Sequence, residues 1–301
     1  MKRLAAAVTI LLIALAAVIY FRPLAAFDTV VHVYLLARGF HSSYVRVGPN
    51  RVHMMTGGKG PPLLLIHGLA TRGEDYALIM PELAKHHTLY VPDLLGFGAS
   101  DRPNIEYSVA DEAEMILGYL DAMRVDRCDV MAASMGGWIA LKFAADHPER
   151  VRRLVLVDSA GFPFATKMTA STWTPSNAAE MRALIALQTD RVTWIPGFVM
   201  RDLLRHNRDH AWILRRAFRS MMTGRDLMKG RVQRVTMPVL LMWGMRDRIV
   251  PPAIGEEMQR ELPNAKLVTF SGCGHLAIVE CRDRVLPEVE RFLDAAPSDA
   301  H

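Results

Sequence analysis

A serine between a strand and a helix is the feature that most restricts how this chain can fold. Residues Met131–Gly137 read Met-Ala-Ala-Ser-Met-Gly-Gly, and residues 129–145 have the pattern of a short apolar strand followed by a helix. A serine on such a tight turn carries its hydroxyl above the edge of a sheet, and small residues two positions to either side let the backbone fold closely around it. Those positions hold Ala132, where glycine is usual, and Gly136. The segment predicts Ser134 as a nucleophile.

A histidine and a carboxylate are needed beside such a serine, because an unassisted hydroxyl is a poor nucleophile near neutral pH. Asp247 directly follows an apolar strand, which places it at the carboxyl edge of a parallel sheet. His275 ends the segment Gly-Cys-Gly-His, whose glycines give room to a loop that crosses towards the serine. The chain order favours Ser134, Asp247 and His275 as the catalytic residues. Asp158, which follows an earlier strand, is the alternative carboxylate.

The rest of the chain alternates strands and helices. Predicted strands cover residues 63–66, 88–91, 129–133, 154–157, 239–243 and 266–270, after a hairpin formed by 44–47 and 51–55, and predicted helices cover 76–86, 108–123, 136–145 and 283–293. This alternation indicates an α/β fold with a mostly parallel central sheet flanked by helices. The interval from Asp158 to Pro238 spans 80 residues, far more than a crossover between parallel strands needs. We therefore predict a helical cap inserted after the sixth strand.

The N-terminus begins Met-Lys-Arg and continues as an uncharged, almost wholly apolar run from Leu4 to Phe21. As a helix this run would rise about 27 Å, close to the thickness of the hydrocarbon core of a bilayer, and it is longer than the core of most signal peptides. The run therefore predicts an uncleaved transmembrane signal anchor. Cleavage near Leu24-Ala25-Ala26 is the alternative.

Topology and domain boundaries follow from these features. Lys2 and Arg3 favour a cytoplasmic N-terminus, which places the catalytic domain on the extracytoplasmic side, whereas Arg22 and Arg38 on the other flank oppose that preference. The predicted units are a transmembrane signal anchor (1–23), a juxtamembrane linker (24–43), a core in two parts (44–160 and 235–301) and a helical cap or lid (161–234).

The cap segment carries the excess positive charge. Residues 161–234 contain 13 Lys/Arg and 5 Asp/Glu, a net charge of +8 in a chain whose total is +5. A cationic surface with aromatic side chains suits anionic lipid headgroups, and a solvated basic face over an ordinary core is the alternative. The sequence contains no zinc-ligand spacing, RNP pattern or helix-turn-helix motif, so we expect no nucleic-acid partner. Its three cysteines predict no disulfide framework, and Cys273 is interpreted as a structural thiol.

These motifs resemble the α/β-hydrolase superfamily over roughly residues 44–295. The segment Val91–Asp101 is similar to the loop that follows the fourth strand in that family. An N-terminal anchor, a Ser-Met-Gly-Gly turn, Ala160-Gly161 after the sixth strand and a helical cap, in that order, resemble membrane-anchored monoacylglycerol lipases and related bacterial lipases. The resemblance implies a triad of Ser134, Asp247 and His275, backbone oxyanion donors at Leu69 and Met135, and no metal or organic cofactor.

The expected activity is hydrolysis of carboxylic esters with apolar acyl groups through an acyl-serine intermediate, as in a monoacylglycerol lipase. The expected partners are a lipid or other apolar ester substrate and the membrane, and the sequence does not define an oligomeric state. Candidate substrate contacts are the cap aromatic residues Phe162, Phe164, Trp173, Trp194 and Phe198. Two enzymatic alternatives are cleavage of a carbon–carbon bond in a dienoic ring-fission product and hydrolysis of small soluble esters. A non-enzymatic membrane-bound binding protein is a third.

Overall fold

A central sheet of eight strands organises the chain. The computed structural model describes residues 1–295, with only the backbone of residues 5, 11 and 15, so the last six residues of the predicted core segment 235–301 lie outside the described residues. The strands are β1 (His41–Val47), β2 (Asn50–Gly58), β3 (Pro62–Ile66), β4 (Thr88–Pro92), β5 (Cys128–Ala133), β6 (Val151–Val157), β7 (Val239–Gly244) and β8 (Ala265–Phe270). Their order is β1-β2-β4-β3-β5-β6-β7-β8. Only the β1–β2 and β2–β4 pairs of this sheet are antiparallel.

Helices cover both faces of this sheet. Over residues 1–295 the α-helices are α1 (Lys2–Phe21), α2 (Pro23–Ala37), α3 (Met80–Leu83), α4 (Val109–Ala122), α5 (Met135–Asp146), α6 (Ala178–Gln188), α7 (Gly197–Met222), α8 (Ala253–Glu261), α9 (Ala277–Glu280) and α10 (Arg282–Asp294). The inserted cap is confirmed in outline, because α6 and α7 lie between β6 and β7. The predicted hairpin and the six later strands are also present.

Two apolar clusters fill the space between the sheet and its helices. Alternate residues of β3 point to opposite clusters: Leu64 and Ile66 pack with α4 and α5, whereas Leu63 and Leu65 pack with α3 and α10. Because both faces are covered, the central strands are continuous apolar runs instead of alternating ones. The carboxyl ends of the parallel strands meet at one edge, so the loops that leave this edge lie side by side.

The predicted single helix over residues 76–86 is wrong. The segment forms a 3₁₀ turn at Gly73–Tyr76 and the short helix α3. Pro81 explains the difference, because its ring clashes with the carbonyl four residues earlier and removes an N–H donor. A helix can therefore begin near Pro81, whereas one running through it from Tyr76 would lose a hydrogen bond and be kinked or broken.

The N-terminal segment forms two consecutive helices. α1 is long and apolar enough to cross a membrane by length and composition, with a mean hydropathy of 2.7. The predicted linker, residues 24–43, is mostly the helix α2, which begins at Pro23, a residue whose fixed φ suits the first position of a helix. α2 is attached to the core, since Asp28 pairs with Arg72 at 2.7 Å and Leu35 is fully buried.

Two of the three cysteines form a disulfide, which corrects the expectation that Cys273 is a free structural thiol. Cys273 and Cys281 are eight residues apart in the chain, and the turn around α9 brings their Cα atoms to 6.2 Å. An odd number of cysteines does not exclude a single local pair, and the sequence alone gave no sign of this turn. Cys128 is the free cysteine and is buried.

Candidate active site

Ser134 lies in a strained turn between β5 and α5. Its backbone has φ 55° and ψ −122°, a conformation that residues other than glycine rarely adopt. The N–H of Ser134 donates to the carbonyl of Val157 at 3.0 Å, and its own carbonyl accepts from the N–H of Ala160 at 3.1 Å. A Cβ at Gly136 would lie 2.3 Å from the carbonyl oxygen of His67, so the turn requires glycine there. These contacts hold the Ser134 hydroxyl above the edge of the sheet.

The structure brings the three predicted catalytic side chains into one hydrogen-bonded chain. The Oγ of Ser134 lies 2.8 Å from Nε2 of His275, and Nδ1 of His275 lies 2.8 Å from Oδ2 of Asp247. The other carboxylate oxygen of Asp247 accepts from the N–H groups of Ile249 and Val250, at 2.8 and 2.9 Å. These bonds leave Nδ1 of His275 as the donor to Asp247 and Nε2 as the acceptor from Ser134.

Asp158, the alternative carboxylate, does not contact His275. It has a different set of partners: its Oδ1 accepts from the N–H of Gly244 at 2.7 Å and its Oδ2 from the N–H of Ala277 at 3.2 Å. Burial raises the pKa of Asp158 well above its usual range, and the nearby charge of Asp247 raises it further. Asp158 therefore connects the end of β7 to the His275 loop, whereas Asp247 lies beside the imidazole.

The arrangement is suited to activating a hydroxyl. When Ser134 loses its proton to Nε2, the resulting imidazolium of His275 is stabilised by the negative charge of Asp247. Both His275 and Asp247 are 6% exposed, so little water screens this interaction. A serine in such a site can attack an electrophilic carbon and form a covalent intermediate.

Two backbone N–H groups near Ser134 are available to stabilise an oxyanion. Met135 is the first residue of α5, so its N–H has no acceptor within the helix. The N–H of Leu69 makes no hydrogen bond within residues 1–295. Leu69 follows Gly68, where an added Cβ would lie 3.2 Å from the Cβ of Ser134, so the two loops are in close contact. Leu69 and Met135 therefore remain the predicted oxyanion donors.

His67 precedes this loop and has a structural environment. Its Nδ1 donates to the carbonyl of Gly68 at 2.9 Å, and its Nε2 accepts from the N–H of Leu94 at 3.0 Å. Burial lowers the pKa of His67, so the ring is neutral and fixed in one tautomer near neutral pH. It joins the ends of β3 and β4.

Two cavities meet at Ser134. The cap cavity, of about 180 Å³, lies beneath the inserted segment and is lined by residues that include Leu69, Met135, Trp138, Phe162, Phe164, Met168, Trp173, Phe218, Met221, Leu227, Ile249 and Val250. The loop cavity, of about 80 Å³, lies on the other side of Ser134 and is lined by residues that include His67, Thr71, Tyr76, Trp173, Gln188 and His275. Among the described residues that line either cavity, none is lysine or arginine.

The five cap aromatics predicted as substrate contacts divide into two groups. Phe162, Phe164 and Trp173 line the cap cavity. Trp194 and Phe198 do not: Trp194 is 84% exposed, and Phe198 stacks on Tyr20 of α1 with ring centroids 5.6 Å apart. These two predictions are withdrawn, because both residues lie around the start of α7, where the cap meets the N-terminal helices.

Sequence reasoning missed other residues that line the cap cavity. Phe218 and Met221 reach it from α7, three residues apart on one face of the helix. That spacing was a usable signal, since an amphipathic helix buries residues three and four apart. Trp138 on α5 was also missed, four residues after the nucleophile; its indole N–H donates to the carbonyl of Asp226 and so ties the core to the end of the cap.

The fold and this geometry define the chain as a hydrolase built on a strand–serine–helix turn. A model of the alpha/beta hydrolase family matches residues 63–288, and the chain belongs to that family. It is 32% identical to the 2-hydroxymuconate semialdehyde hydrolase of Pseudomonas sp. strain CF600, over 83% of this chain and 93% of that protein.

Solved structures give two further points of comparison. A bacterial membrane phospholipase A superimposes with a TM-score of 0.84 at 27% identity, covering 98% of both chains. The 2-hydroxy-6-oxo-6-phenylhexa-2,4-dienoate hydrolase of Rhodococcus sp. strain RHA1 has a TM-score of 0.73 at 24% identity, covering 85% of this chain and 99% of the other. The phospholipase match therefore extends over the N-terminal helices, whereas the second match supports the fold alone.

Proposed function

We propose that this protein is a membrane-associated carboxylic-ester hydrolase that cleaves apolar acyl esters, as a monoacylglycerol lipase does. The observation that carries the proposal is the cap cavity, which opens directly at Ser134 and is lined almost entirely by apolar side chains. Pockets of this kind bind apolar groups and use a few polar atoms to fix the reacting centre. An acyl chain in the cap cavity would place its ester carbonyl beside Ser134.

The proposed reaction has two steps. Ser134 Oγ attacks the ester carbonyl as His275 takes its proton, and His275 then returns the proton to the leaving alcohol. Water next attacks the acyl-Ser134 intermediate with His275 again acting as base, which releases the acid and restores the serine. Asp247 holds the imidazole in the tautomer that both steps require. In each step the backbone N–H groups of Leu69 and Met135 stabilise the oxyanion, at about 3–4 kcal/mol for each donor.

The alcohol part of the substrate is proposed to lie on the opposite side of Ser134. The loop cavity occupies that side, and it shares Trp173, Thr71 and Gln188 with a further cavity of about 350 Å³. Leu24 and Phe27 of α2 line this further cavity, which therefore leads from the N-terminal helices towards the nucleophile. A lipid substrate could approach by this route without crossing bulk water.

Membrane association and the division into domains are part of the same proposal. α1 is proposed as an uncleaved anchor (1–23), followed by the α2 segment (24–43), a two-part core (44–160 and 235–301) and a cap (161–234). Support comes from the length and exposure of α1 and from the net charge of +8 in the cap. Lys2 and Arg3, in the first turn of α1, favour an extracytoplasmic catalytic domain.

Carbon–carbon bond hydrolysis is a second candidate because relatives named for that activity match most of the chain. A dienoate substrate carries a carboxylate, and burying that charge beside Ser134 would call for a cationic partner. The described linings of the cap and loop cavities contain no lysine or arginine. Arg72 lines only the more distant cavity and is paired with Asp28. The site is therefore better matched to a neutral ester.

The test is turnover by detergent-purified wild type and Ser134→Ala on four substrate groups: aryl esters with acyl chains from two to eighteen carbons, monoacylglycerols, diacyl phospholipids and a 2-hydroxy-6-oxo-dienoate. We expect wild type to cleave medium or long acyl esters and Ser134→Ala to lose at least about a thousandfold in kcat. Ser134-dependent cleavage of the dienoate alone would favour the carbon–carbon candidate. Cleavage confined to the shortest esters would reject the lipase assignment while retaining the nucleophile.

A further inference from the structure

The loop that carries His275 is closed by a covalent bond. The Cys273–Cys281 disulfide encloses His275, which lies two residues after the first cysteine. Neither cysteine has a part in the proton transfers between Ser134, His275 and the substrate. We propose that this disulfide positions His275, so that Cys273 and Cys281 are positioning residues and full turnover requires their oxidised state. The proposal rests on the assignment of His275 as the base in the proposed function.

Local structure alone gives this loop little rigidity. Between the end of β8 at Phe270 and the start of α10 at Arg282, the only regular element is α9, which has four residues. A helix that short is not stable by itself in water. α10 is a longer helix fixed to the core by Val285 and Val289, which are fully buried, as are Cys273 and Ala277 of the loop. The disulfide connects the His275 loop to the first turn of this well-packed helix.

Hydrogen bonds hold the loop only in part. The N–H of Gly274 donates to Oε2 of Glu280 at 2.7 Å, within the same loop, and the N–H of Leu276 donates to the carbonyl of Gln188 in the cap at 3.2 Å. Two bonds link the loop to the end of the sheet: the N–H of Ala277 donates to Asp158 at 3.2 Å, and the carbonyl of Cys273 accepts from the N–H of Arg246 at 2.8 Å. Loss of the disulfide would therefore leave a folded loop in which His275 is less well fixed. Displacement of a catalytic group by about 1 Å can cost as much as a hundredfold in rate.

The surroundings of the disulfide favour fast exchange between its oxidised and reduced forms. A guanidinium nitrogen of Arg284 lies 2.8 Å from the sulfur of Cys273 and 2.9 Å from that of Cys281. After reduction, this positive charge would stabilise a thiolate, which is the form that attacks another disulfide during exchange. Disulfides persist in oxidising compartments, which is consistent with the extracytoplasmic placement proposed above.

The redox step is ordinary thiol–disulfide exchange. A dithiol reductant such as dithiothreitol supplies two electrons and two protons; the Cys273–Cys281 bond breaks to give two thiols, and the reductant becomes a cyclic disulfide. Oxidised glutathione reverses the change by accepting the two electrons, with release of two molecules of glutathione.

The experiment compares the full-length wild type with Cys273→Ala/Cys281→Ala and, as matched control, Cys128→Ala, which removes a buried thiol far along the chain from His275. Three quantities are measured on protein shown to be folded by circular dichroism: kcat and KM on the best ester, and the rate at which a phosphonate labels Ser134. For the double variant we expect kcat and the labelling rate to fall about tenfold to a hundredfold, with KM within twofold of wild type. Cys128→Ala should match wild type.

Wild type treated with dithiothreitol should behave as the double variant, and oxidised glutathione should restore its kcat and labelling rate. Alkylation followed by mass measurement should count two new thiols in the reduced sample. The double variant should not respond to either reagent. A folded double variant with the wild-type kcat and labelling rate would overturn the proposal, as would two free thiols at these positions in air-oxidised protein. If wild type labels at Ser134 but cleaves no ester, the substrate class fails, and the labelling rates alone still decide this inference.

Discussion

The sheet edge and the cap both contribute to the cavity at Ser134, but their residues are positioned in different ways. Ser134, Asp247 and His275 each follow a strand, at the ends of β5, β7 and β8, and the register of these strands brings the loops that carry them to one edge. Cap residues such as Phe164 reach the same cavity from a loop, and their positions depend on side-chain packing. At the sheet edge a small geometric change should therefore abolish turnover, whereas in the cap it should change which substrate is preferred.

The largest expected effect tests which carboxylate belongs to the site. Asp247→Asn keeps the shape of the side chain but removes the charge that stabilises the His275 imidazolium and fixes its tautomer, so we expect kcat to fall about 10³–10⁴-fold. Asp158→Asn is the matched variant, because Asp158 is equally buried, lies at the same edge and does not contact His275. Its kcat should fall less than about tenfold. Steady-state assays on one ester decide this, and near-normal turnover by Asp247→Asn would reverse the assignment.

The next effect tests how tightly the sheet edge is packed. In Gly136→Ala the new methyl group would meet the carbonyl oxygens of His67 and Ile66 at 2.3 and 2.5 Å, and neither backbone atom can move without shifting β3. We expect a loss of stability of about 1–3 kcal/mol and a fall in kcat of about a hundredfold. Gly230→Ala is the control, because an added Cβ there meets nothing within 4 Å, although its φ of 72° adds some backbone strain. Thermal unfolding and kcat are measured together. If Gly136→Ala keeps the stability and kcat of wild type, the turn has more space than the structure shows.

The contrast between the sheet edge and the cap also explains which site residues could be predicted from the sequence. Strand ends are marked locally by apolar runs and by the glycines and polar residues that follow them, so Ser134, Asp247 and His275 could be found without a structure. The sequence favoured Asp247 but left Asp158 as an alternative, since both follow a buried strand. The choice between them depends on which side chain reaches Nδ1 of His275 in three dimensions.

The incorrect predictions have different physical causes. Phe198 looks like a pocket residue in the sequence, yet its ring stacks on Tyr20, nearly 180 positions earlier in the chain. The Cys273–Cys281 pair depends on a short turn that no periodic sequence pattern predicts. A contact between distant segments determines the position of Phe198, whereas the disulfide depends on the local turn around α9, which has no recognisable sequence pattern.

The cap provides a third, smaller effect. Phe164→Ala enlarges the cap cavity and removes one apolar contact, so kcat/KM for medium-chain esters should fall about tenfold while two-carbon esters change little. Trp194→Ala is the matched control within the cap, because that side chain is 84% exposed and lies outside the cavity. Its chain-length profile on soluble esters should equal that of wild type. A uniform fall of kcat/KM for every chain length in Phe164→Ala would show that the residue supports the fold instead of the acyl chain.

The smallest effect concerns the stability of the core, away from both parts of the site. Glu112 on α4 is 2% exposed, its Oε2 accepts from the N–H of Leu95 at 3.2 Å, and its Oε1 has no partner among the described residues. Burial raises the pKa of Glu112 to about 8, from a usual value of 4.5. Between these two pH values the folded state binds a proton that the unfolded state lacks, so the stabilising contribution is present below 4.5 and is lost as the pH rises through 8.

Glu112→Gln does not titrate and should therefore gain Tm relative to wild type between pH 5 and pH 9, by about 2–4 °C for each kcal/mol. Glu114→Gln, on the exposed face of the same helix, should follow wild type across this range, and both variants should keep the wild-type kcat at pH 7. Melting curves at pH 5, 7 and 9 measure the difference, and a Glu112→Gln curve parallel to wild type would show that Glu112 is ionised in the folded core.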